Sequence, residues 1–316
     1  MINKKIIYGL GTGAICFTGA AISFLQEKAM GVDRNATPSD GKTKGMEVER
    51  ALLNSGESAG KEWFLSQPYK EFYMTNERGQ KLCAYYLPPK ENCNVIAFLI
   101  HGYKSNAFRN PMLFARHYNE EYGYGVFVMD HVAIGKSEGH YVGFSGYESD
   151  DCLLWIKYIK ENIGDFQIII HGVSMGGATV CQMAGKDLPN NVKFAIDDCG
   201  FTGGKQQIMH ELEIKNIPSH PAIELLSIVN KIKAGYTLGY TDAHKRIYDA
   251  KCPILFIHGG RDGFVPTRMG REMYSACPTD KELVIIDDAT HATCVLYDPK
   301  LYWEKVEGFI AKYITR

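Results

Sequence analysis

Phe166-Gln167-Ile168-Ile169-Ile170-His171-Gly172-Val173-Ser174-Met175-Gly176-Gly177 is the stretch on which the reading of this chain turns. An apolar run of strand character enters it, and Ala178, Val180, Met183 and Ala184 leave it at helix-compatible spacing as far as Gly185. A strand that turns at once into a helix strains the turning residue, and a side chain on either flank would clash, so glycines are required around Ser174. A serine at such a turn carries its hydroxyl above the sheet edge, the arrangement of a nucleophile elbow.

The same five-residue pattern occurs a second time, as Gly135-Lys136-Ser137-Glu138-Gly139. That copy lies several residues past the strand-like Val126-Phe127-Val128-Met129 and runs into 139–146, rich in glycine and aromatics and without helical periodicity. Context therefore assigns Ser174 as the nucleophile and Ser137 as a turn residue on a loop near the same face.

Outward from the elbow, apolar strand runs alternate with helical patterns from Glu71 onward, the signature of an α/β fold with a mostly parallel sheet. Strands are expected at 71–75, 81–87, 95–100, 126–129, 167–170, 193–196, 254–257 and 282–286, eight in all, with helices on both faces. The first two, joined by Asn76-Glu77-Arg78-Gly79, read as an antiparallel edge. Helices are expected at 111–122, 148–162, 175–186, 268–276 and 299–314, with a short one at 46–54. Residues 201–250 interrupt the alternation after the sixth strand with helix-like segments, and read as a lid.

A serine hydroxyl needs a base at neutral pH, and the base needs an orienting carboxylate. His291, in Asp287-Asp288-Ala289-Thr290-His291-Ala292, follows the last strand; Asp262, in His258-Gly259-Gly260-Arg261-Asp262, follows the strand before it. Both loops open at the carboxyl edge of the sheet, and the order serine, acid, histidine is that of this template. Asp197 and Asp198, ending the preceding strand, are the rival acids, while Asp287 and Asp288 read as loop-capping groups. His101, His171 and His258 also end strands and have a structural reading; His117, His140 and His244 read as surface residues. Two main-chain amides are candidates for an oxyanion hole: Met175, at the amino end of the new helix, and Tyr103, in the loop His101-Gly102-Tyr103-Lys104.

Composition bounds the alternatives. With 316 residues, 45% hydrophobic and 22% charged, the chain can bury a sizeable core, and a net charge of −1 gives no reason to expect nucleic acid as a partner. Nine cysteines without a Cys-x-x-Cys pair, and a His210-Glu211-Leu212-Glu213-Ile214 segment lacking a second histidine, leave no metal site expected. Gly9-Leu10-Gly11-Thr12-Gly13-Ala14 matches a dinucleotide-binding glycine pattern, but 26–44 is polar where a second strand with a terminal acid is required, so no cofactor is expected.

Residues 6–25 carry no charge and follow Lys4 and Lys5, which predicts a transmembrane anchor over 1–25, a linker over 26–45 and a catalytic body over 46–316. This places the protein at the cell membrane with the body outside the cytoplasm; the rival readings are a cleaved signal peptide with secretion, or a cytoplasmic body.

Taken with His101-Gly102, the 130–139 loop, the Ser174 elbow, the Asp262 loop and His291, the region from about 71 to 316 resembles the α/β-hydrolase superfamily, and within it the bacterial esterases and serine aminopeptidase-like hydrolases. In such relatives the Asp130 loop reads Asp-x-Arg-Gly-x-Gly-x-Ser; here Val132, Ala133 and Ile134 replace its middle. The resemblance implies acyl transfer to water from a small-molecule ester. A peptide substrate, its amine met by Glu211, Glu213 or Glu224, and a ligand-binding sensor without turnover are the alternatives.

Overall fold

The computed structural model describes residues 19–32 and 47–315. Its centre is an eight-stranded sheet, β1 (Lys70–Thr75), β2 (Lys81–Leu87), β3 (Val95–Ile100), β4 (Gly125–Asp130), β5 (Gln167–Val173), β6 (Val192–Asp198), β7 (Ile254–Gly259) and β8 (Lys281–Ile286), in the order β1-β2-β4-β3-β5-β6-β7-β8. From β3 to β8 every pairing is parallel; β2 pairs antiparallel with β1 and with β4, so the expected antiparallel edge is present. The central strands are buried along their whole length because helices cover both faces.

Alternation within each strand divides the core in two. Ile96, Phe98 and Ile100 point to one face, Val95, Ala97 and Leu99 to the other. The helices are α1 (Gly19–Met30), α2 (Glu47–Ser66), α3 (Met112–Glu120), α4 (Gly146–Asn162), α5 (Met175–Ala184), α6 (Gly204–Ile214), α7 (Ala222–Ala234), α8 (Ala243–Ile247), α9 (Thr267–Ala276), α10 (Cys294–Tyr297) and α11 (Pro299–Tyr313). α4 buries Cys152, Trp155, Ile156 and Ile159, an apolar stripe at helical spacing, on the first face. α11 buries Tyr302, Val306 and Phe309 on the second, and starts where Asp298 caps the Leu301 amide at 2.9 Å ahead of Pro299.

α2 runs well past the short helix expected at 46–54. Its glycines are points of close approach: a Cβ on Gly60 would lie 2.1 Å from the Met112 carbonyl of α3.

The boundary expected at residue 25, between anchor and linker, falls inside α1. That helix packs on the protein through Ile22, Gln26 and Met30, all buried, and the Gln26 side chain donates to Asn230 of α7 at 3.1 Å. Gly31 then pairs with Tyr141, so residues 26–32 are fixed structure; 33–46, and residues 1–18 with the glycine pattern at 9–14, lie outside the described residues. Among the described residues no helix is long and apolar enough to cross a membrane.

Between β6 and β7 stands the expected insertion. It consists of α6, α7, a 3-10 turn at Leu238–Thr241 and α8.

Candidate active site

Ser174 sits between β5 and α5 with φ 59° and ψ −118°, a backbone conformation an L-residue adopts only when its surroundings impose it. Its amide donates to the Asp198 carbonyl at 2.8 Å, and the flanking glycines are obligatory. A Cβ on Gly172 would fall 2.1 Å from the Gly176 carbonyl oxygen, and one on Gly176 would fall 2.2 Å from that of Ile100.

The loops after β7 and β8 bring the other two residues to this point. His291 Nε2 lies 2.8 Å from Ser174 Oγ, and His291 Nδ1 lies 2.7 Å from Asp262 Oδ2. An ionised carboxylate only accepts, so Nδ1 carries the proton and Nε2 is left as the acceptor of the serine hydrogen. Asp262 is itself over-determined: its Oδ1 accepts the amides of Phe264 at 3.0 Å and Val265 at 2.8 Å. Burial raises the Asp262 carboxyl, but the charge of His291 and hydrogen bonds from His258 and His291 outweigh it and hold the group well below the usual carboxylate range.

His258 was not singled out beyond a structural role, yet its Nε2 stands 3.4 Å from Asp262 Oδ2 while donating to the Val265 carbonyl at 2.9 Å. Asp262 thus lies between two imidazoles. The clue in the sequence is its position at the strand end, four residues before the acid.

The rival acids are engaged below the site. Asp197 Oδ1 accepts the Gly200 amide at 2.8 Å, and Cys181 donates to Oδ2 at 3.3 Å. Asp198 Oδ2 accepts the Tyr302 hydroxyl at 2.8 Å; that hydroxyl also lies 2.9 Å from His171 Nε2, and Tyr118 reaches His171 Nδ1 at 3.1 Å. Burial pushes the Asp198 carboxyl from its ordinary 3.8 up to about 6, partly offset by the Tyr302 hydrogen bond. A raised value means that this carboxyl's contribution to stability is complete below about pH 4 and is lost as pH rises through about 6. Asp198→Asn is therefore expected to gain on the order of 2–3 kcal/mol relative to the unsubstituted protein between about pH 4 and about pH 7, measured by urea unfolding. A difference independent of pH would refute this account.

Ser137, in the duplicate pattern, is fully buried and holds the end of β4. Its hydroxyl donates to the Asp130 carbonyl at 2.6 Å and accepts the Cys83 amide at 2.9 Å. Asp130 binds its own loop despite the altered middle, accepting the Ala107 amide at 3.1 Å and the Lys136 amide at 3.0 Å. The residue next to it, His131, escaped the sequence reading. Its amide donates to His101 Nε2 at 3.1 Å and its Nε2 to the His101 carbonyl at 3.1 Å, while His101 Nδ1 donates to the Gly102 carbonyl at 2.8 Å. Burial keeps both rings neutral by lowering them, His101 to about 4. The pair clamps the loop carrying Gly102 and Tyr103 beside Ser174; a Cβ on Gly102 would lie 3.3 Å from the serine Cβ.

Ser174 opens into a cavity of about 280 Å³ whose walls are mainly apolar. Tyr103, Phe144, Phe201 and Phe264 line it, and the ring of Phe264 stands 4.9 Å from that of His291. Its walls also include Ile208 and Leu212 of α6, Ala222 and Leu226 of α7, and Leu25 and Ala29 of α1. Glu211 is also in the wall but is paired with Lys215; Glu224 pairs with His220 at 2.9 Å. The ligand atoms of Cys199, Asp262 and His291 lie within 4.8 Å of one another, so a metal ion held there would compete for the Asp262–His291 hydrogen bond.

Residues 98–202 match the family model for the alpha/beta hydrolase fold, and residues 205–298 match that for serine aminopeptidase, S33. An uncharacterised Bacillus subtilis (strain 168) protein, YqkD, is 26% identical over 241 residues, spanning 76% of this chain and 78% of its own. Among solved structures, the Pyrococcus furiosus esterase Pf2001 superposes with a TM-score of 0.63 at 22% identity, over 79% of this chain and 95% of that one. Acetyl xylan esterase 1 from Thermoanaerobacterium sp. does so with a TM-score of 0.57 at 16% identity, over 92% and 98%. Sheet order, strand-turn-helix serine and family models agree: the chain belongs to the α/β-hydrolase superfamily and is an enzyme of the hydrolase type.

Proposed function

We propose that the protein is a serine esterase acting on esters with an apolar acyl group. The observation that carries this reading is the continuous relay from Ser174 through His291 to Asp262, at 2.8 and 2.7 Å, opening on an apolar cavity. Ser174 Oγ attacks the ester carbonyl as its proton passes to His291 Nε2, and the new imidazolium is held by Asp262. The tetrahedral oxyanion is met by the amides of Met175, at the first turn of α5 where no intrahelical acceptor exists, and of Tyr103 on the clamped loop. On collapse the C–O bond to the leaving group breaks and Nε2 returns the proton to the alcohol. Water then repeats the sequence on the acyl-enzyme, releasing the acid and Ser174.

An amide substrate is the second reading, supported by the aminopeptidase family model over 205–298 and by Glu211 in the cavity wall. Pairing of Glu211 with Lys215 and the apolar lining favour the ester. The lid assignment for 201–250 is part of the proposal, since α6 and α7 roof the cavity.

A fluorophosphonate probe tests the chemistry. The protein and Ser137→Ala are expected to label and Ser174→Ala is not, with p-nitrophenyl esters hydrolysed faster than aminoacyl p-nitroanilides. No labelling of the folded protein would instead support a ligand-binding role without turnover.

A further inference from the structure

The walls of the Ser174 cavity are mainly apolar, and the charged side chains among them are Lys28, Glu211 and Lys215. Glu211 and Lys215 pair with each other, so their charges cancel. Lys28 is exposed, which leaves an unmatched positive charge where the cavity meets solvent. A second ammonium comes to the same turn of α1. Lys104, half-buried in the loop after β3, donates from Nζ to the Lys28 carbonyl at 2.9 Å. Glu27 is the carboxylate whose charge reaches Lys104, but it is already held by His140 at 2.6 Å and Lys233 at 3.2 Å. Among the described residues neither Lys28 nor Lys104 takes part in an ion pair.

This arrangement is costly. Burial pulls the Lys104 ammonium below its ordinary value, the charge of Lys28 pulls it further, and that of Glu27 opposes both. Lys104 is also held in the left-handed region, at φ 48°, which a residue with a side chain adopts only under constraint. Capping a carbonyl in the last turn of α1 accounts for one N–H of Lys104. It does not account for a second lysine set beside it in the cavity wall. Two like charges without a counter-ion are stabilised by an anion that meets both.

We infer that Lys28 and Lys104 form an anion-recognition site at the cavity, and that the substrate is an ester whose acyl chain ends in a carboxylate. The substrate class rests on the esterase reading: with the ester carbonyl at Ser174 and the apolar part of the acyl chain along the cavity, the far end of that chain is what meets Lys28. The fold sets the reach. Tyr103, whose amide serves the oxyanion in that reading, donates its hydroxyl to the Ala29 carbonyl at 2.5 Å, and the next residue, Lys104, binds the Lys28 carbonyl. The last turn of α1 is thereby tied to the loop that holds the reacting carbonyl. The two lysines act as a ruler as well as a charge, so a carboxylate gains most from them at one chain length.

The p-nitrophenyl half-esters of adipic, suberic and sebacic acid, compared with p-nitrophenyl hexanoate, octanoate and decanoate, test this. Each pair differs only in a terminal carboxylate in place of a methyl group. In the unsubstituted protein kcat/KM is expected to favour the half-ester by about tenfold or more at one length, and the preference to shrink as salt is raised to about 1 M. Lys28→Arg is expected to keep the preference, Lys104→Gln to weaken it and Lys28→Glu to reverse it, with urea unfolding confirming that each variant folds. Calorimetric binding of the same compounds to Ser174→Ala repeats the comparison without turnover. A protein that hydrolyses neither series therefore refutes the esterase reading, while the anion site is still judged by binding. The site is overturned if the half-esters are no better than their neutral partners at any length, in turnover or in binding. It is equally overturned by a preference that Lys28→Glu leaves unchanged.

Discussion

Replacing Ser174 with alanine is expected to lower kcat for a short soluble p-nitrophenyl ester by about a millionfold, the loss seen when the nucleophile of such a relay is removed. Only the Oγ is lost, because the strained turn at φ 59° depends on the flanking glycines and on the Ser174 amide bond to Asp198, neither of which alanine disturbs. Ser137→Ala is the matched control. Its hydroxyl bridges Asp130 and Cys83 inside the protein, so the substitution should cost about 1–3 kcal/mol of stability and leave kcat within about twofold. Initial rates and urea unfolding on the two variants read both effects; an active Ser174→Ala with an inactive Ser137→Ala reverses the assignment.

Asp262→Asn should cost about ten-thousandfold in kcat, with little change in the fold. The two amides of Phe264 and Val265 hold the oxygen at the Oδ1 position, which turns the new NH₂ group toward His291 Nδ1. A donor there forces Nδ1 to accept, moves the ring proton to Nε2, and so points a hydrogen at Ser174 Oγ where an acceptor is needed. NMR of the His291 ring nitrogens should show the tautomer exchanged. A variant that keeps the Nδ1–H tautomer and full activity would refute the role given to Asp262.

The sheet was legible because its central strands are continuous apolar runs between turn signals, and the Ser174, Asp262 and His291 loops because each directly follows such a run. α2 outruns the short helix expected at 46–54 and contains Gly56 and Gly60; a glycine needed for close approach to α3 looks the same in sequence as one that ends a helix. α1 was hidden for another reason. Its burial rests on Ile22, Gln26 and Met30, and the partner of Gln26 is 204 residues away, so only the uncharged run was visible locally. The same holds for His131, whose clamp on His101 spans 30 residues. Pairings at such separations leave no local periodicity to read.

The cavity is lined by two stretches far apart in sequence, Leu25 and Ala29 of α1 and Leu226 of α7. Whatever fills the space touches both, so occupancy and the seating of α1 are thermodynamically linked. On the esterase proposal, a bound acyl chain would act as a removable staple that raises the free energy of detaching α1. By reciprocity, any influence that lifts α1 weakens acyl binding by the same factor. On the esterase proposal, product departure and the seating of α1 on the protein would then be coupled equilibria.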